Sequence, residues 1–239
     1  MPGYRELDAE AIVSTLAALE RRIAERFPES GLRRVAADLF AVAQATVQRI
    51  ETLRRPNRPL RLGVAGLILV VLSILAAALS NLRWPDRVEG AQQFVQMLES
   101  MINDAVFVGI AIAFLVTLER RIRRTRALRA IHELRSIAHV VDMHQLTKDP
   151  EQFSAERVDT PSSPRRSLSR FELSRYLDYC SETLSLTSKV AALWAQGLDD
   201  GVVLAAVNEV EALTTGLSGK IWQKIVILGE RGLDDPRGK

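Results

Sequence analysis

One short stretch of the sequence concentrates the side chains that could bind a metal or move a proton. All three histidines of the chain lie in it, and His132, Arg135, His139 and Asp142 are spaced by three, four and three residues. In a helix this spacing places them on one face. Two imidazoles and a carboxylate could hold a metal if another helix supplied a fourth ligand. However, about 10 Å of helix axis separates the two imidazoles, so a polar stripe hydrogen-bonded to neighbouring helices is the favoured interpretation.

No pattern typical of an enzyme class accompanies these histidines. The single cysteine, Cys180, falls on the apolar side of a predicted helix, where a buried, inert thiol is the common case. The sequence has no HExxH, no GxSxG and no dinucleotide fingerprint, and residues 216–220 lack the first glycine of a phosphate-binding loop. We therefore predict no catalytic residue, no metal and no cofactor, and we expect that the protein is not an enzyme.

The elements that must position these residues are organised around an apolar stretch at residues 62–82. It contains 21 residues without a charge, and about 20 such residues form a helix that crosses a bilayer. A second uncharged run, residues 105–118, has only 14, a length that also suits a re-entrant or buried helix. Because no proline lies between Pro85 and Pro150, we predict one helix from about residue 90 to 145. It would cross the membrane and continue beyond it.

Arginine clusters indicate the orientation of this two-helix hairpin. One cluster precedes the first apolar run and the other follows the second, so both lie at the same side of the membrane. The positive-inside rule assigns that side to the cytoplasm. Both termini are therefore predicted to be cytoplasmic, with a short extracytoplasmic loop at residues 83–104. Such a collar fits topology and lipid binding better than binding of nucleic acid. Its members are Arg54, Arg55, Arg58, Arg61, Arg120, Arg121, Arg123 and Arg124, followed by Arg126 and Arg129.

Acidic residues near the outer end of the second apolar run suggest a possible ion path. In this topology Asp104 falls near the apolar zone of the outer leaflet, and a position at the membrane interface is the favoured interpretation. If several copies of the helix lined a pore, Asp104 and Glu99 would form an acidic ring that favours cations. Gly109 would allow helices to approach closely or to bend.

Apolar residues spaced by three and four predict helices through the rest of the chain, so the fold class is all-α. The prolines of the segment after residue 147 argue for a linker, and Ser169 with Glu172 forms a capping box that starts a new helix. The predicted parts are a cytoplasmic helical hairpin (1–57), the transmembrane hairpin (58–119), a cytoplasmic extension of the second span (120–146), a linker (147–168) and a C-terminal cytoplasmic hairpin (169–239).

Three runs in the C-terminal half carry a family resemblance. They are IHELRSIAHVVDMHQLTKDP (131–150), RYLDYCSETLSLTSKVAALWAQ (175–196) and AVNEVEALTTGLSGKIWQKI (206–225). The chain resembles, over about this half, a family of bacterial two-span inner-membrane proteins of unassigned function. The resemblance implies a bacterial inner membrane and no catalytic residues.

Three functions remain as hypotheses. The favoured one is a non-enzymatic, oligomeric scaffold or adaptor whose cytoplasmic bundle binds a protein partner. The alternatives are an ion channel lined by the second span and a metal- or ligand-sensing membrane module that uses the histidine stripe. The expected partners are the lipid bilayer, other copies of the chain and a cytoplasmic protein, but no nucleic acid.

Overall fold

The computed structural model describes residues 6–54, 58–80, 91–153, 160–163 and 168–233. These residues form six α-helices and one short 3₁₀ helix and contain no β-strand, which confirms the all-α prediction. The helices are α1 (Ala9–Arg26), α2 (Gly31–Arg54), α3 (Arg58–Ser80), α4 (Ala91–Leu146), α5 (Arg170–Gly197) and α6 (Gly201–Leu233), with the 3₁₀ helix at Pro150–Phe153.

The chain divides into two compact units. The first, called the bundle here, contains residues 1–54 and 126–239, and the second contains residues 55–125. Helix α4 contributes residues to both units, because it runs without interruption from Ala91 to Leu146. The predicted helix across residues 90–145 is therefore confirmed.

The bundle is built around one apolar core to which α1, α2, α5, α6 and the last part of α4 all contribute. The apolar residues spaced by three and four are buried on α1 from Ile12 to Phe27 and largely buried on α6 from Val203 to Leu228, and the buried face of α4 combines small and large side chains. Alanines on this face allow neighbouring helices to approach closely, and the larger residues fill the space between them. The buried residues of α4 are Ala127, Ala130, Ile131, Leu134, Ala138 and Val141.

Caps and cross-helix contacts fix the ends of the bundle helices. The predicted capping box at the start of α5 is present, with Ser169 and Glu172 each bonding the other's backbone. These hydrogen bonds lower the pKa of the Glu172 carboxyl. Arg22 of α1 donates a 2.7 Å hydrogen bond to Glu182 of α5, and the ring of Phe27 packs edge-on against that of Tyr176 at 5.3 Å.

The second unit contains α3 and the first part of α4, and its apolar side chains are exposed. Phe107 is 71% exposed and Ile110 is 62% exposed. Among the described residues, one helix is long and apolar enough to cross a membrane, the Leu98–Leu146 part of α4, whereas α3 offers a shorter apolar run at Leu62–Ile74. The sequence favoured the opposite ranking. The ranking differs because α4 continues as a helix on both sides of residues 105–118.

Two boundaries differ from the predicted ones. The segment predicted as a linker at 147–168 contains the 3₁₀ helix Pro150–Phe153, and Pro150 itself is buried. Helix α6 continues past Gly229, the first of the residues Gly229, Gly232 and Pro236 that the sequence indicates as its end, and reaches Leu233, because a single glycine lowers helix stability without ending a helix.

Candidate functional site

The predicted polar stripe lies along α4 and its members are held apart. His132 and His139 are exposed, Arg135 donates to Glu209 of α6 at 3.0 Å, and Asp142 accepts a hydrogen bond from Gln145. Across the described parts of the chain, no group of three or more His, Cys, Asp or Glu side chains is placed to hold a metal. The stripe therefore acts in this structure as a polar helix face that pairs with α6, and its geometry gives no support to a metal sensor.

A polar cluster that the sequence did not predict lies at the C-terminal end of α4. Gln145 is 2% exposed, and Lys224 of α6 donates from Nζ to its backbone oxygen at 2.8 Å and to its side-chain Oε1 at 2.7 Å. Gln145 in turn donates from Nε2 to Asp142 Oδ1 at 2.6 Å. The last carbonyls of a helix lack partners within it, and a cation there is favourable. Lys224 therefore caps α4 and joins it to α6, while burial lowers the pKa of its ammonium group.

His144, one residue earlier, packs against the first residue of α2. A side chain at Gly31 would overlap the imidazole of His144, so glycine permits this close approach of the two helices. The imidazole borders a cavity of about 440 Å³ that Lys148, Glu172 and Tyr176 also line. Burial, with the nearby charges of Arg34 and Lys148, lowers the pKa of His144.

The thiol of Cys180 and the hydroxyl of Tyr176, both near this cluster, are neutral at physiological pH. Burial raises the pKa of the Cys180 thiol to about 12, and burial also raises the pKa of the Tyr176 hydroxyl. The ammonium of Lys148 lies 5.3 Å from the centre of the Tyr176 ring. A nucleophilic cysteine needs a lowered pKa and access to substrate, and Cys180, fully buried, has neither. The cluster around His144 and Lys224 can therefore fix the end of α4 in the bundle, but it does not place a nucleophile beside a base.

The residues proposed for a pore or a lipid collar lie mainly in the second unit. Glu99 and Asp104 are exposed on α4, and the space beside Gly109 is open. Arg121 places its guanidinium 5.2 Å from the centre of the Phe114 ring. Among the remaining collar residues, Arg54 is the last residue of α2, and Arg58 and Arg61 lie in α3. On α4, Arg120 is exposed, Arg124 is half-buried and Arg123 pairs with Glu119. Arg55 lies outside the described residues.

No family model, curated protein or solved structure matches this chain. The resemblance to two-span inner-membrane proteins therefore stays a hypothesis.

Only part of the cluster had a signal in the sequence. Lys224 interrupts the apolar stripe of α6 between Ile221 and Leu228, and a lysine on a buried face requires an acceptor. The acceptor, Gln145, is distant in sequence. The contact between Gly31 and His144 had no sequence signal, because neither residue type is unusual at a helix end.

We expect the substitution Gly31→Ala to destabilise the bundle by about 1–3 kcal/mol, because the added methyl group displaces the imidazole of His144. In a His144→Ala background the same change should instead stabilise it, by up to about 1 kcal/mol, through the higher helix propensity of alanine. Urea unfolding in detergent of the unsubstituted protein, the two single variants and the double variant measures both changes in the free energy of unfolding. An equal effect of Gly31→Ala in both backgrounds would contradict the contact.

We also expect His144 to make the bundle sensitive to mild acid. Its folded-state pKa is below the ordinary value of 6.5, so the unfolded chain binds more protons just below pH 6.5 and the free energy of unfolding rises with pH through that window. The pKa of the neighbouring Glu172 carboxyl is lowered, so this group titrates below that window. Stability should fall from pH about 7.5 to about 5.5, and His144→Gln should reduce this fall. An unchanged fall in the variant would exclude His144 as its cause.

Proposed function

We propose that this chain is an integral membrane protein that anchors a cytoplasmic helical bundle through a two-helix hairpin and serves as a non-enzymatic scaffold or adaptor. The observation that carries the proposal is the make-up of α4. This single helix of 56 residues has an exposed apolar part followed by a part whose inner face belongs to the bundle core.

Membrane insertion accounts for the exposed part of α4. Its large apolar side chains, including Phe107 and Ile110, are exposed in succession, and contiguous apolar surface of this kind is unfavourable in water. A bilayer removes this cost. Helix α3, with its apolar run Leu62–Ile74, would be the first span of the hairpin. The arginines before the first apolar run and after the second favour a cytoplasmic bundle with both termini in the cytoplasm. The family resemblance implies that the membrane is a bacterial inner membrane.

A scaffold role fits the chemistry of the bundle. The buried polar groups around Gln145 and Lys224 are engaged with each other, and the thiol of Cys180 is buried and protonated. These groups stabilise one arrangement of helices and present no reactive atom to a substrate. A rigid bundle on a membrane anchor can bind a protein partner or further copies of the same chain.

The oligomeric state in nanodiscs and crosslinking in native membranes test the scaffold proposal. Light scattering, with the lipid mass subtracted, should give an oligomer, and crosslinking through surface lysines such as Lys189 and Lys220 should capture a second copy or a cytoplasmic protein at a defined stoichiometry. Lys189 and Lys220 are exposed on α5 and α6. A monomer in nanodiscs that is also captured alone in membranes would contradict the proposal.

A cation pore is a second candidate because of one specific observation. Asp104 is an exposed carboxylate beside exposed Ile102 and Val106, and a carboxylate in an apolar helix usually faces water or protein. If α4 lines a pore, Asp104→Asn should lower the cation-to-anion permeability ratio severalfold in planar bilayers, because it removes a ring of negative charge. Glu133→Gln, which removes the same charge from the bundle part of α4, is the control. Absence of conductance, or equal selectivity in both variants, would exclude this candidate.

A further inference from the structure

A second cavity lies among α2, α4 and α5 of the bundle, and the charged side chains of the described residues that line it are all arginines. Its volume is about 530 Å³. Three arginines from two helices border it together with a tryptophan from a third. The lining residues are Gln48, Arg49 and Thr52 of α2, Arg126 and Arg129 of α4, and Trp194 of α5.

These arginines differ from the paired arginines of the same chain. Arg22, Arg135 and Arg175 each contact a carboxylate at 2.7–3.0 Å. Within the part of the chain that the structure describes, the guanidinium groups of Arg49, Arg126 and Arg129 have no carboxylate partner. Three like charges around one cavity repel each other, so the arrangement favours an anion between them.

Trp194 gives an independent indication that the cavity takes a hydrogen-bond acceptor. The residue is fully buried, and its indole Nε1–H has no hydrogen-bond partner. Buried donors are almost always paired, and an indole N–H can only donate. Trp194 also forms part of the cavity wall, so a ligand with acceptor oxygens in the cavity would lie close to this unpaired donor.

We propose that this cavity binds a phosphate group. Phosphate oxygens accept from guanidinium groups in a bidentate manner, and several arginines around one site match the charge of a phosphate better than that of a single carboxylate. The amide of Gln48 adds an uncharged donor at the same cavity. The hydroxyl of Thr52 already donates to the backbone oxygen of Gln48 at 2.8 Å, so it has lone pairs but no free proton.

The phosphate can come from a lipid headgroup or from a soluble phosphorylated compound. Arg126 follows the last residue of the second apolar run, Leu118, by eight positions in the same helix, which makes a phospholipid headgroup chemically reasonable. The lipid source rests on the proposed membrane insertion, whereas binding of free phosphate does not.

Fluorescence of Trp194 in the full chain tests the proposal. The substitutions Trp84→Phe and Trp222→Phe leave Trp194 as the only tryptophan. The protein is placed in phosphatidylcholine nanodiscs and titrated with inorganic phosphate and pyrophosphate. A parallel series without added phosphate contains increasing fractions of phosphatidylglycerol. Alkaline extraction of membranes measures insertion separately, so failure of the site and failure of membrane anchoring are distinguishable.

Charge-matched variants identify the site. Arg126→Gln with Arg129→Gln should weaken binding about tenfold or more, because charge-assisted hydrogen bonds are lost. Arg21→Gln with Arg33→Gln removes the same charge from exposed positions of the bundle outside the cavity lining and should change the affinity little. Calorimetry on Trp194→Phe, which replaces the indole by a smaller ring without an N–H, should show weaker binding, and circular dichroism checks that the helical fold is retained.

The outcomes separate the sources and decide the proposal. Saturable binding of phosphate or pyrophosphate in phosphatidylcholine, lost in the cavity variant alone, supports a soluble ligand. A response to phosphatidylglycerol with the same variant dependence supports a lipid headgroup. No response in either series, or equal loss in the cavity and control variants, would overturn the proposal.

Discussion

Replacing Ile110 with arginine is expected to prevent stable insertion of α4 into membranes. Ile110 is 62% exposed in the apolar part of the helix, so if this part lay in water the substitution would hardly change the stability of the fold. At the centre of a membrane helix an arginine costs about 2.5–3.5 kcal/mol. The fraction of protein that resists alkaline extraction should therefore fall strongly for Ile110→Arg.

Met143→Arg is the matched control for this experiment. Met143 is 66% exposed in the bundle part of the same helix, and there the new charge faces water. Extraction of this variant should equal that of the unsubstituted protein. If alkaline extraction removes Ile110→Arg and Met143→Arg from membranes to the same extent, the exposed part of α4 does not lie in lipid.

Replacing Leu134 with alanine is expected to destabilise the bundle by about 2–5 kcal/mol. Leu134 is fully buried on the inner face of α4, within the core shared with the other bundle helices. The loss combines the lost burial of a branched side chain with the cavity that remains. Urea unfolding in detergent, followed by the fluorescence of the fully buried Trp194, measures it.

Val140→Ala tests whether this effect depends on burial. Val140 is exposed two turns later on the same helix, and its truncation should change stability by no more than about 0.5 kcal/mol. Equal losses at Leu134 and Val140 would contradict the placement of the end of α4 in the core.

The sequence was a sufficient guide wherever a pattern repeated along one helix. The stripe of α1 from Ile12 to Phe27 and that of α6 from Val203 to Leu228 predicted the buried faces, because burial selects apolar residues at the helical period. The capping box at Ser169 and Glu172 predicted the start of α5. The continuity of α4 followed from the absence of proline, which is the strongest helix breaker.

Contacts between helices could not be predicted in this way. Lys224 of α6 and its acceptor Gln145 of α4 are 79 positions apart in sequence, and the pattern of neither helix indicates the other as its partner. The same holds for the cavity formed by Arg49, Arg129 and Trp194, which the packing of three helices creates. The spacing of the histidine stripe showed correctly that its residues share one face of α4. It could not show whether side chains of other helices come close enough to complete a binding site, because spacing within one helix carries no information on distances to other helices.

Cysteine labelling from the two sides of the membrane tests the central claim most directly. In a Cys180→Ser background, single cysteines are placed at Gln96, in the predicted outer segment, and at Thr160, in the predicted cytoplasmic linker; both positions are exposed. The account predicts that a membrane-impermeant maleimide labels Gln96→Cys in intact spheroplasts and labels Thr160→Cys only after the membrane is permeabilised. Labelling of both positions in intact spheroplasts, or of neither before permeabilisation, would contradict a cytoplasmic bundle anchored by a membrane hairpin.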